Sequence, residues 1–187
     1  MGPKKFSQEW TAVGGCAPLV PFIPNSLDGS DLPARTKAFL ETTGLPRRAG
    51  PYLVFYGGQP FRVSEQWNQD SANFRFWAIG SDGYGSPIAV EEPTGEVVLL
   101  DHDCGFKRVF MNSSVAKLGE FLLAYRSFVF SVIDRWGSNA LLEGRYALQP
   151  LQKFATQLAV IDPPAMEEGC WWSAEVALRE DAVKAAP

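Results

Sequence analysis

Hydrophobic positions recur with two different periods along the chain, and the change of period divides it into three parts. Between Tyr52 and Met111, apolar residues stand in short, partly alternating runs that glycine and proline separate, as at Gly57-Gly58. Successive side chains of a strand point to opposite faces of a sheet, so this pattern predicts closely spaced strands. Because the connections between the runs are short, we expect an antiparallel meander over about 52–111.

The glycines between two of these runs are predicted to turn the chain. Phe74–Ile79 alternates in the manner of a strand, and the next apolar run begins at Pro87. Between them, Asp82-Gly83 is a strong hairpin signal, because both residues tolerate positive φ. A phosphate cradle is the alternative for the glycines of Gly80–Gly85, but such a cradle requires a following helix, and a strand follows here.

Helical spacing dominates on both sides of the meander. A helix around Ala38–Leu40 is predicted, with Asp31 as its cap and Gly44 at its end. After the meander, apolar residues between Val115 and Val129 recur three and four positions apart, which predicts a long helix that Gly137 stops. Another helix is predicted over about 148–160.

Strands in the middle of the chain with helices before and after them indicate a single α+β domain. The chain of 187 residues is long enough to bury the core of such a domain. Residues 1–30 are rich in proline and glycine, and we interpret them as an irregular N-terminal arm. We place the domain at 31–179 and expect residues 180–187, which are charged and rich in alanine, to form a frayed tail.

Charge and cysteine content narrow the classes of partner. The formal net charge is −4, which disfavours binding to a phosphate backbone and suits a basic protein partner. The three cysteines are far apart and include no C-x-x-C pair, so we expect neither a zinc site nor a disulfide framework, and a cytoplasmic location fits best. No apolar run approaches the length of about 18 residues that a membrane span needs.

The segment Asp101-His102-Asp103-Cys104 carries the strongest candidates for chemistry. His102 is the single histidine of the chain. On a strand Asp101 and Asp103 would project to one face and His102 to the other, so we expect neither a catalytic triad nor a metal site. Cys104 has neither a second histidine nor a basic neighbour closer than Lys107, and a buried or half-buried structural thiol is the favoured interpretation. Glu91 and Glu92 are interpreted as an exposed rim at a strand end rather than an acid–base pair.

Several short motifs, taken in their order and spacing, resemble those of the SUKH superfamily, in particular the immunity-protein subgroup common in actinobacterial genomes. The resemblance covers roughly Leu32 to Glu175. The motifs are Phe39–Pro46, Phe76–Gly83, Ile88–Glu91, Thr94–Val97, Phe110–Ser114, Phe121-Leu122, Ile161–Pro163 and Trp171-Trp172.

This resemblance implies an α+β fold in which helices flank a central, strongly bent antiparallel sheet. It implies a bacterial immunity protein of a polymorphic toxin system that neutralises a cognate toxin, often a nuclease or a nucleic-acid deaminase. The family has no fixed catalytic residues, so we expect a protein that is not an enzyme, with no metal and no cofactor. The motifs at Ile79-Gly80 and Thr94-Gly95 are then structural.

A toxin with a basic groove would be met by carboxylates at the ends of the meander, with one aromatic anchor. The candidate partner-binding residues are Asp82, Tyr84, Glu91, Glu92, Glu96, Asp101 and Asp103. Two alternatives stay open: a SUKH-type regulatory adaptor that binds a host protein, and an enzyme that uses Asp101, His102 or Cys104. The enzyme alternative predicts that replacing His102 and Cys104 together abolishes function.

Overall fold

The computed structural model describes residues 1–14, 16–67 and 75–186, and these form a mixed α+β single domain. The helices are α1 (Pro3–Thr11), α2 (Ala34–Thr42), α3 (Val63–Trp67), α4 (Val115–Trp136), α5 (Leu148–Ile161) and α6 (Trp171–Ala185). The strands are β1 (Leu19–Val20), β2 (Leu45–Pro46), β3 (Arg48–Ala49), β4 (Leu53–Phe55), β5 (Phe76–Ser81), β6 (Pro87–Glu91), β7 (Val97–Asp101) and β8 (Lys107–Asn112). The predicted α+β class is confirmed.

The main sheet is an antiparallel meander in which β3 to β8 pair in sequence order, while β1 and β2 form a separate two-stranded sheet. The register between β5 and β6 shifts between Ala78 and Gly80, and a second shift lies between Val97 and Val98 of β7. Bulges of this kind bend the strand that contains them. Phe74, with which the predicted third strand begins, lies outside the described residues.

One face of the sheet packs against the helices to form the main core. The long helix α4 is its centre, and α1, α2 and α5 all pack on it. Its N-cap is Ser114, whose hydroxyl accepts the backbone N–H of Lys117, and it ends at Gly137 with φ +93°, as the sequence predicts. Trp172 of α6 is fully buried, with its ring centroid 5.2 Å from that of Phe121 in α4.

The opposite face of the sheet carries a smaller core. Its buried residues come from α3 and from the positions of β5, β6 and β7 whose side chains point away from the main core. They are Val63, Phe76, Ala78, Ala89, Val98 and Leu100. Because both faces of β6 are covered, every residue of Pro87–Glu91 is buried. This explains why that run is continuously apolar as far as Val90 instead of alternating.

A buried polar network joins β8, α4, α5 and α6. Asp162, directly after α5, accepts hydrogen bonds from the Asn112 side chain at 3.2 Å and from the N–H and hydroxyl of Ser113 at 2.8 and 2.6 Å. Asn112 in turn accepts the indole N–H of Trp172 at 3.0 Å. Asn112 and Trp172 are fully buried and Asp162 is 3% exposed, so the network lies inside the protein.

Both chain ends are more regular than the sequence analysis predicts. The prediction of an irregular arm over residues 1–30 is wrong for Pro3–Thr11, which is helical because Phe6 and Trp10, four residues apart, both enter the core. The Phe6 ring lies 5.3 Å from that of Phe39 in α2. The frayed tail predicted over 180–187 is wrong as far as Ala185, since α6 continues to that residue.

Candidate functional site

The candidate partner-binding residues lie at two opposite ends of the meander, because alternate connections of a meander meet at the same end. The β5–β6 turn and the β7–β8 connection carry four of them: Asp82, Tyr84, Asp101 and Asp103. We call this set the acidic end. The β6–β7 turn at the other end carries Glu91, Glu92 and Glu96.

The β5–β6 turn is held by its own aspartate. One carboxylate oxygen of Asp82 accepts the backbone N–H of Tyr84 and that of Ser86, each at 2.9 Å. Gly85 follows with φ +96°, a conformation that a side chain would strain. The turn leads directly into β6, so the interpretation as a chain turn is confirmed for Gly83 and Gly85, whereas Gly80 lies within β5 and pairs with Ile88. It presents Tyr84 to solvent with 80% of its surface exposed.

The β7–β8 connection differs from the strand geometry assumed for Asp101–Cys104. β7 ends at Asp101, and His102–Cys104 form one turn of 3₁₀ helix. The Asp101 carboxylate caps this turn by accepting the backbone N–H groups of Asp103 and Cys104 at 3.1 and 3.3 Å. The expected placement of the aspartates on one strand face and His102 on the other is therefore wrong, because the strand ends at Asp101 and does not include His102 or Asp103.

Cys104 is exposed, so the expectation of a buried or half-buried thiol is also wrong. Hydrogen bonding to the Asp101 carboxylate and the negative charge of that group raise the pKa of the Cys104 thiol. A raised pKa reduces the thiolate fraction and hence the nucleophilicity of the sulfur.

Serine, histidine and aspartate meet between the two connections of the acidic end. Ser86 Oγ lies 2.9 Å from His102 Nδ1, and His102 Nε2 lies 3.2 Å from an oxygen of Asp103. Ser86 is only 4% exposed and also accepts the His102 backbone N–H, so its hydroxyl is enclosed where no substrate reaches it. Asp103 is 81% exposed and does not hold the ring from a buried position, as a triad carboxylate does. These contacts fasten the two connections together.

Glu91 and Glu96 at the other end are paired with arginines. Arg108 of β8 contacts Glu91 at 2.8 Å and also forms an ion pair with Glu96, while Arg75 lies 3.0 Å from the second oxygen of Glu91. The Glu91 side chain is 9% exposed. The expectation of an exposed rim at this position is wrong, because arginines distant in sequence fold over the carboxylates.

Glu92 forms a second closed cluster at the same end. Its carboxylate accepts hydrogen bonds from Arg62 at 2.9 Å, from the Trp77 indole at 2.7 Å and from the backbone N–H of Asp31 at 2.9 Å. Burial alone would raise the pKa of Glu92, but these hydrogen bonds and the Arg62 charge outweigh it and lower the pKa. The prediction that Asp31 caps α2 is wrong, because Pro33 is the residue that precedes α2 and no side chain of the described residues caps the helix.

The lowered pKa of Glu92 makes part of the stability dependent on pH. A carboxylate whose pKa is lowered by folding stabilises the fold above its unfolded-state pKa, and this contribution is lost as the pH falls through the folded-state pKa. We expect Glu92→Gln to cost about 1 kcal/mol at about pH 7 and much less at about pH 3. Urea unfolding at both pH values measures this, with the exposed Glu65→Gln as the control. An equal loss at both pH values would contradict it.

A cavity that sequence reasoning missed lies between α1, α4 and the β3–β4 connection, with a volume of about 320 Å³. Its apolar walls include Trp10, Leu122 and Val129. The rim is formed by Tyr52, Phe130 and Leu142, which are 58%, 44% and 71% exposed. These residues come from four separate parts of the chain, so no local pattern in the sequence indicates the cavity.

Three arginines, Arg48, Arg126 and Arg179, also line this cavity, and no acidic residue of the described chain does. Arg126 donates to the backbone carbonyls of Trp10 and Glu9 at the end of α1, at 2.7 and 3.0 Å. Within residues 1–14, 16–67 and 75–186, neither Arg48 nor Arg126 forms an ion pair. The cavity is therefore electropositive although the chain is acidic overall.

Arg179 is partly buried and lies beside an acidic residue. Its guanidinium lies 2.5 Å from Glu175, and their side chains are 11% and 10% exposed. Burial raises the pKa of Glu175, and the neighbouring Arg179 lowers it only in part. Neither Arg179 Nε nor Glu175 Oε1 has a hydrogen-bond partner among the described residues. The contact is thus an ion pair of poor hydrogen-bond geometry.

The cavity and the acidic end form neighbouring parts of one surface. Tyr52, at the cavity rim, precedes β4, which pairs with β5, and the β5–β6 turn follows. A Cβ atom built on Gly83 of that turn would lie 2.8 Å from the Tyr52 Cβ, so the turn is in close contact with the rim. Tyr84 on the turn and Tyr52 on the rim are both mainly exposed.

No group of three or more histidine, cysteine, aspartate or glutamate side chains in the described part of the chain could hold a metal ion. Among the same residues, no helix combines the length and the apolar character that crossing a membrane requires.

Comparison with known proteins gives a match to one family model. The model is that of the SUKH-4 immunity protein, and it matches residues 8–180, which includes most of the chain. No curated protein and no solved structure matches the chain. The matched range contains the whole meander, the acidic end, the cavity and the Asp162 network. On this match, the chain belongs to the SUKH-4 immunity protein family.

Proposed function

We propose that this protein binds a cognate protein toxin through the acidic end and blocks the active site or substrate groove of that toxin. Membership of an immunity-protein family implies a toxin-neutralising function, and such families are generally non-catalytic. The proposal adds the surface, the mechanism and the class of toxin, a nuclease or nucleic-acid deaminase whose groove is basic. It also takes the cytoplasm as the compartment in which the pair meets.

The observation that carries the proposal is the exposure of Tyr84 and Asp103 on two connections that hydrogen bonds hold together. Tyr84 is 80% exposed, and the Asp103 side chain is 81% exposed. The Asp82 and Asp101 carboxylates cap their turns, and the contact between Ser86 and His102 joins the two turns. A rigid aromatic ring among carboxylates suits an anchor in a basic groove, since it loses little conformational entropy on binding.

The three glutamates at the opposite end contribute less to this proposal. Glu91, Glu92 and Glu96 each contact an arginine of the same chain, so their charges are already compensated. A toxin would have to displace those arginines before it could pair with the carboxylates. The proposal therefore rests on Asp82, Tyr84, Asp101 and Asp103, and a contact role for the three glutamates stays a prediction.

Replacement of the two most exposed residues of the acidic end tests the proposal. We expect Asp103→Lys and Tyr84→Ala each to weaken binding of the toxin encoded by the neighbouring gene at least about tenfold, because each removes a contact without removing a turn cap. Isothermal titration calorimetry gives the affinity, and survival of cells that express the toxin gives protection. Asp103→Lys should lower the association rate and its salt dependence as well.

Asp134→Lys is the matched control, because Asp134 is an exposed aspartate on α4 and belongs to neither connection. It should bind and protect like the unchanged protein. Equal binding by all three variants would contradict the role of the acidic end. Absence of binding and protection by the unchanged protein would contradict the proposed function itself.

A further inference from the structure

We propose that the cavity beneath Tyr52 and Phe130 is an anchor site for the toxin, and that it takes an aromatic or large aliphatic side chain with a carboxylate beside it. This inference rests on the proposed function and names a second contact on the same surface. Its chemistry is the reverse of that of the acidic end, since here the immunity protein supplies the positive charge.

Shape and lining define the apolar part of the occupant. The volume of about 320 Å³ lies at the small end of the range for ligand sites and suits a single large side chain. Trp10, Leu122 and Val129 line it, and a buried aromatic or aliphatic side chain is the usual core of a protein–protein contact. Leu142, Tyr52 and Phe130 extend outward as exposed apolar surface that a folded partner would cover, whereas a small ligand would leave much of it in water.

Charge defines the other part of the occupant. Arg48 and Arg126 line the cavity without an ion-pair partner in the described residues, and Arg179 adds a third guanidinium beside Glu175. A purely apolar occupant would remove water from these cations without giving them a counter-charge, which is costly. A carboxylate near the apolar anchor supplies that counter-charge, and arginine suits carboxylates because it can donate two parallel hydrogen bonds.

Tyr52 connects this site to the acidic end. Its backbone has φ +63°, a left-handed conformation that costs a non-glycine residue about 1 kcal/mol. This conformation places a 58% exposed ring between the cavity and the turn that carries Tyr84, and the surrounding structure maintains it. A toxin that covers Tyr84 therefore passes over Tyr52 to reach the cavity.

The first experiment tests the chemistry of the cavity without the toxin. The probes are the capped dipeptides N-acetyl-Phe-Asp-amide, N-acetyl-Phe-Lys-amide and N-acetyl-Ala-Asp-amide, added to the ¹⁵N-labelled protein and followed by NMR. We expect the Phe-Asp probe to shift the Trp10 indole and the Leu142 amide at a concentration at least about fivefold lower than either other probe. Equal shifts by the Phe-Asp and Phe-Lys probes, or no shift at the cavity, would overturn the proposed chemistry.

The second experiment tests whether the toxin that the neighbouring gene encodes binds to the cavity. Leu142→Asn and Arg48→Glu should each weaken binding at least about tenfold. Val160→Asn and Arg35→Glu are the matched controls, because Val160 is 78% exposed on α5 and Arg35 is exposed on α2, both outside the cavity lining. We expect both controls to bind within about twofold of the unchanged protein.

Tyr52→Asn separates binding from folding. Asparagine adopts the left-handed conformation more readily than tyrosine, so the melting temperature should stay the same or rise while toxin binding weakens at least about tenfold.

The outcomes separate the two proposals. Loss of binding in Asp103→Lys, together with unchanged binding in the three cavity variants, overturns the anchor site and leaves the acidic end standing. Probe binding at the cavity with unchanged toxin affinity in these variants would instead assign the cavity to a small ligand, which also overturns the anchor site. No binding by the unchanged protein contradicts the proposed function, and the dipeptide experiment then still decides the chemistry of the cavity.

Discussion

Asp162→Ala is expected to lower the free energy of unfolding by about 3 kcal/mol, because it removes the common acceptor of a buried network. The carboxylate accepts from the Asn112 side chain and from the N–H and hydroxyl of Ser113. Without it, the amide of Asn112, which is 0% exposed, loses an acceptor that water cannot easily replace. For a domain of this size the melting temperature should fall by about 10 °C.

Urea unfolding and a thermal scan measure this effect, with Asp134→Ala as the control for loss of an exposed carboxylate. Asp162→Asn is the sharper variant. Asparagine keeps the shape of the side chain. Both carboxylate oxygens of Asp162 accept hydrogen bonds, whereas an amide has one acceptor oxygen, so Asp162→Asn should recover only part of the stability that Asp162→Ala loses. Full stability in Asp162→Ala would show that the network contributes nothing to folding.

The same network gives a physical meaning to three of the sequence motifs. Asn112-Ser113, Asp162 and Trp172 belong to motifs that are separated by as many as 60 residues, and they meet in one set of hydrogen bonds. These residue types are required because the end of β8, the start of α4 and the end of α5 leave backbone and side-chain groups away from water. Within the described structure the motifs therefore explain the fold rather than the partner.

The meander, α4 and α5 could be predicted because local signals and tertiary packing agree there. α4 ends before Gly137, as its stop signal predicts, and the side chain of Ser114 caps its start. The meander follows from short apolar runs with Asp82-Gly83 and Thr94-Gly95 between them. Local propensity and burial favour the same structure at these positions, and this agreement allows the structure to be predicted from the sequence.

The environment of the acidic residues could not be predicted in the same way. Glu91 forms ion pairs with Arg75 and Arg108, and Glu92 with Arg62, and the three arginines come from separate parts of the chain. Which arginine meets which glutamate is decided by strand pairing, so the local sequence at Glu91-Glu92 reads as an ordinary exposed turn. The cavity was still harder to predict from the sequence, because its arginines at positions 48, 126 and 179 come together only in the folded chain.

Helix α1 was missed for a different reason, since a local signal was present. Pro3 lies in the first turn, where its missing N–H is tolerated, and Phe6 and Trp10 have helical spacing. The many prolines and glycines between positions 14 and 30 outweighed this short signal in the interpretation of the whole segment. A nine-residue helix has little stability of its own, so its packing on α2 and α4 must supply it.

Phe6→Ala is accordingly expected to lower the free energy of unfolding by about 4 kcal/mol, because the fully buried ring packs against Phe39 and α4 and would leave a cavity. Tyr84→Ala, which truncates an 80% exposed ring, should change stability by less than about 0.5 kcal/mol. Thermal and urea unfolding measure both variants. A small loss in Phe6→Ala would mean that α1 is not part of the cooperative core.

Gly119 of α4 offers a test of the packing of the Phe6 ring on α4. A Cβ atom built there would lie 3.2 Å from the Phe6 ring and 3.3 Å from the Phe39 ring, so Gly119→Ala should gain little or lose stability in the unchanged protein. In the Phe6→Ala background the Phe6 contact is gone and only the Phe39 contact remains, so the helix propensity of alanine, worth up to about 1 kcal/mol, should make Gly119→Ala more favourable than in the unchanged protein. A double-mutant cycle measures this difference, which requires that Phe6 packs on Gly119, because independent sites would give additive effects.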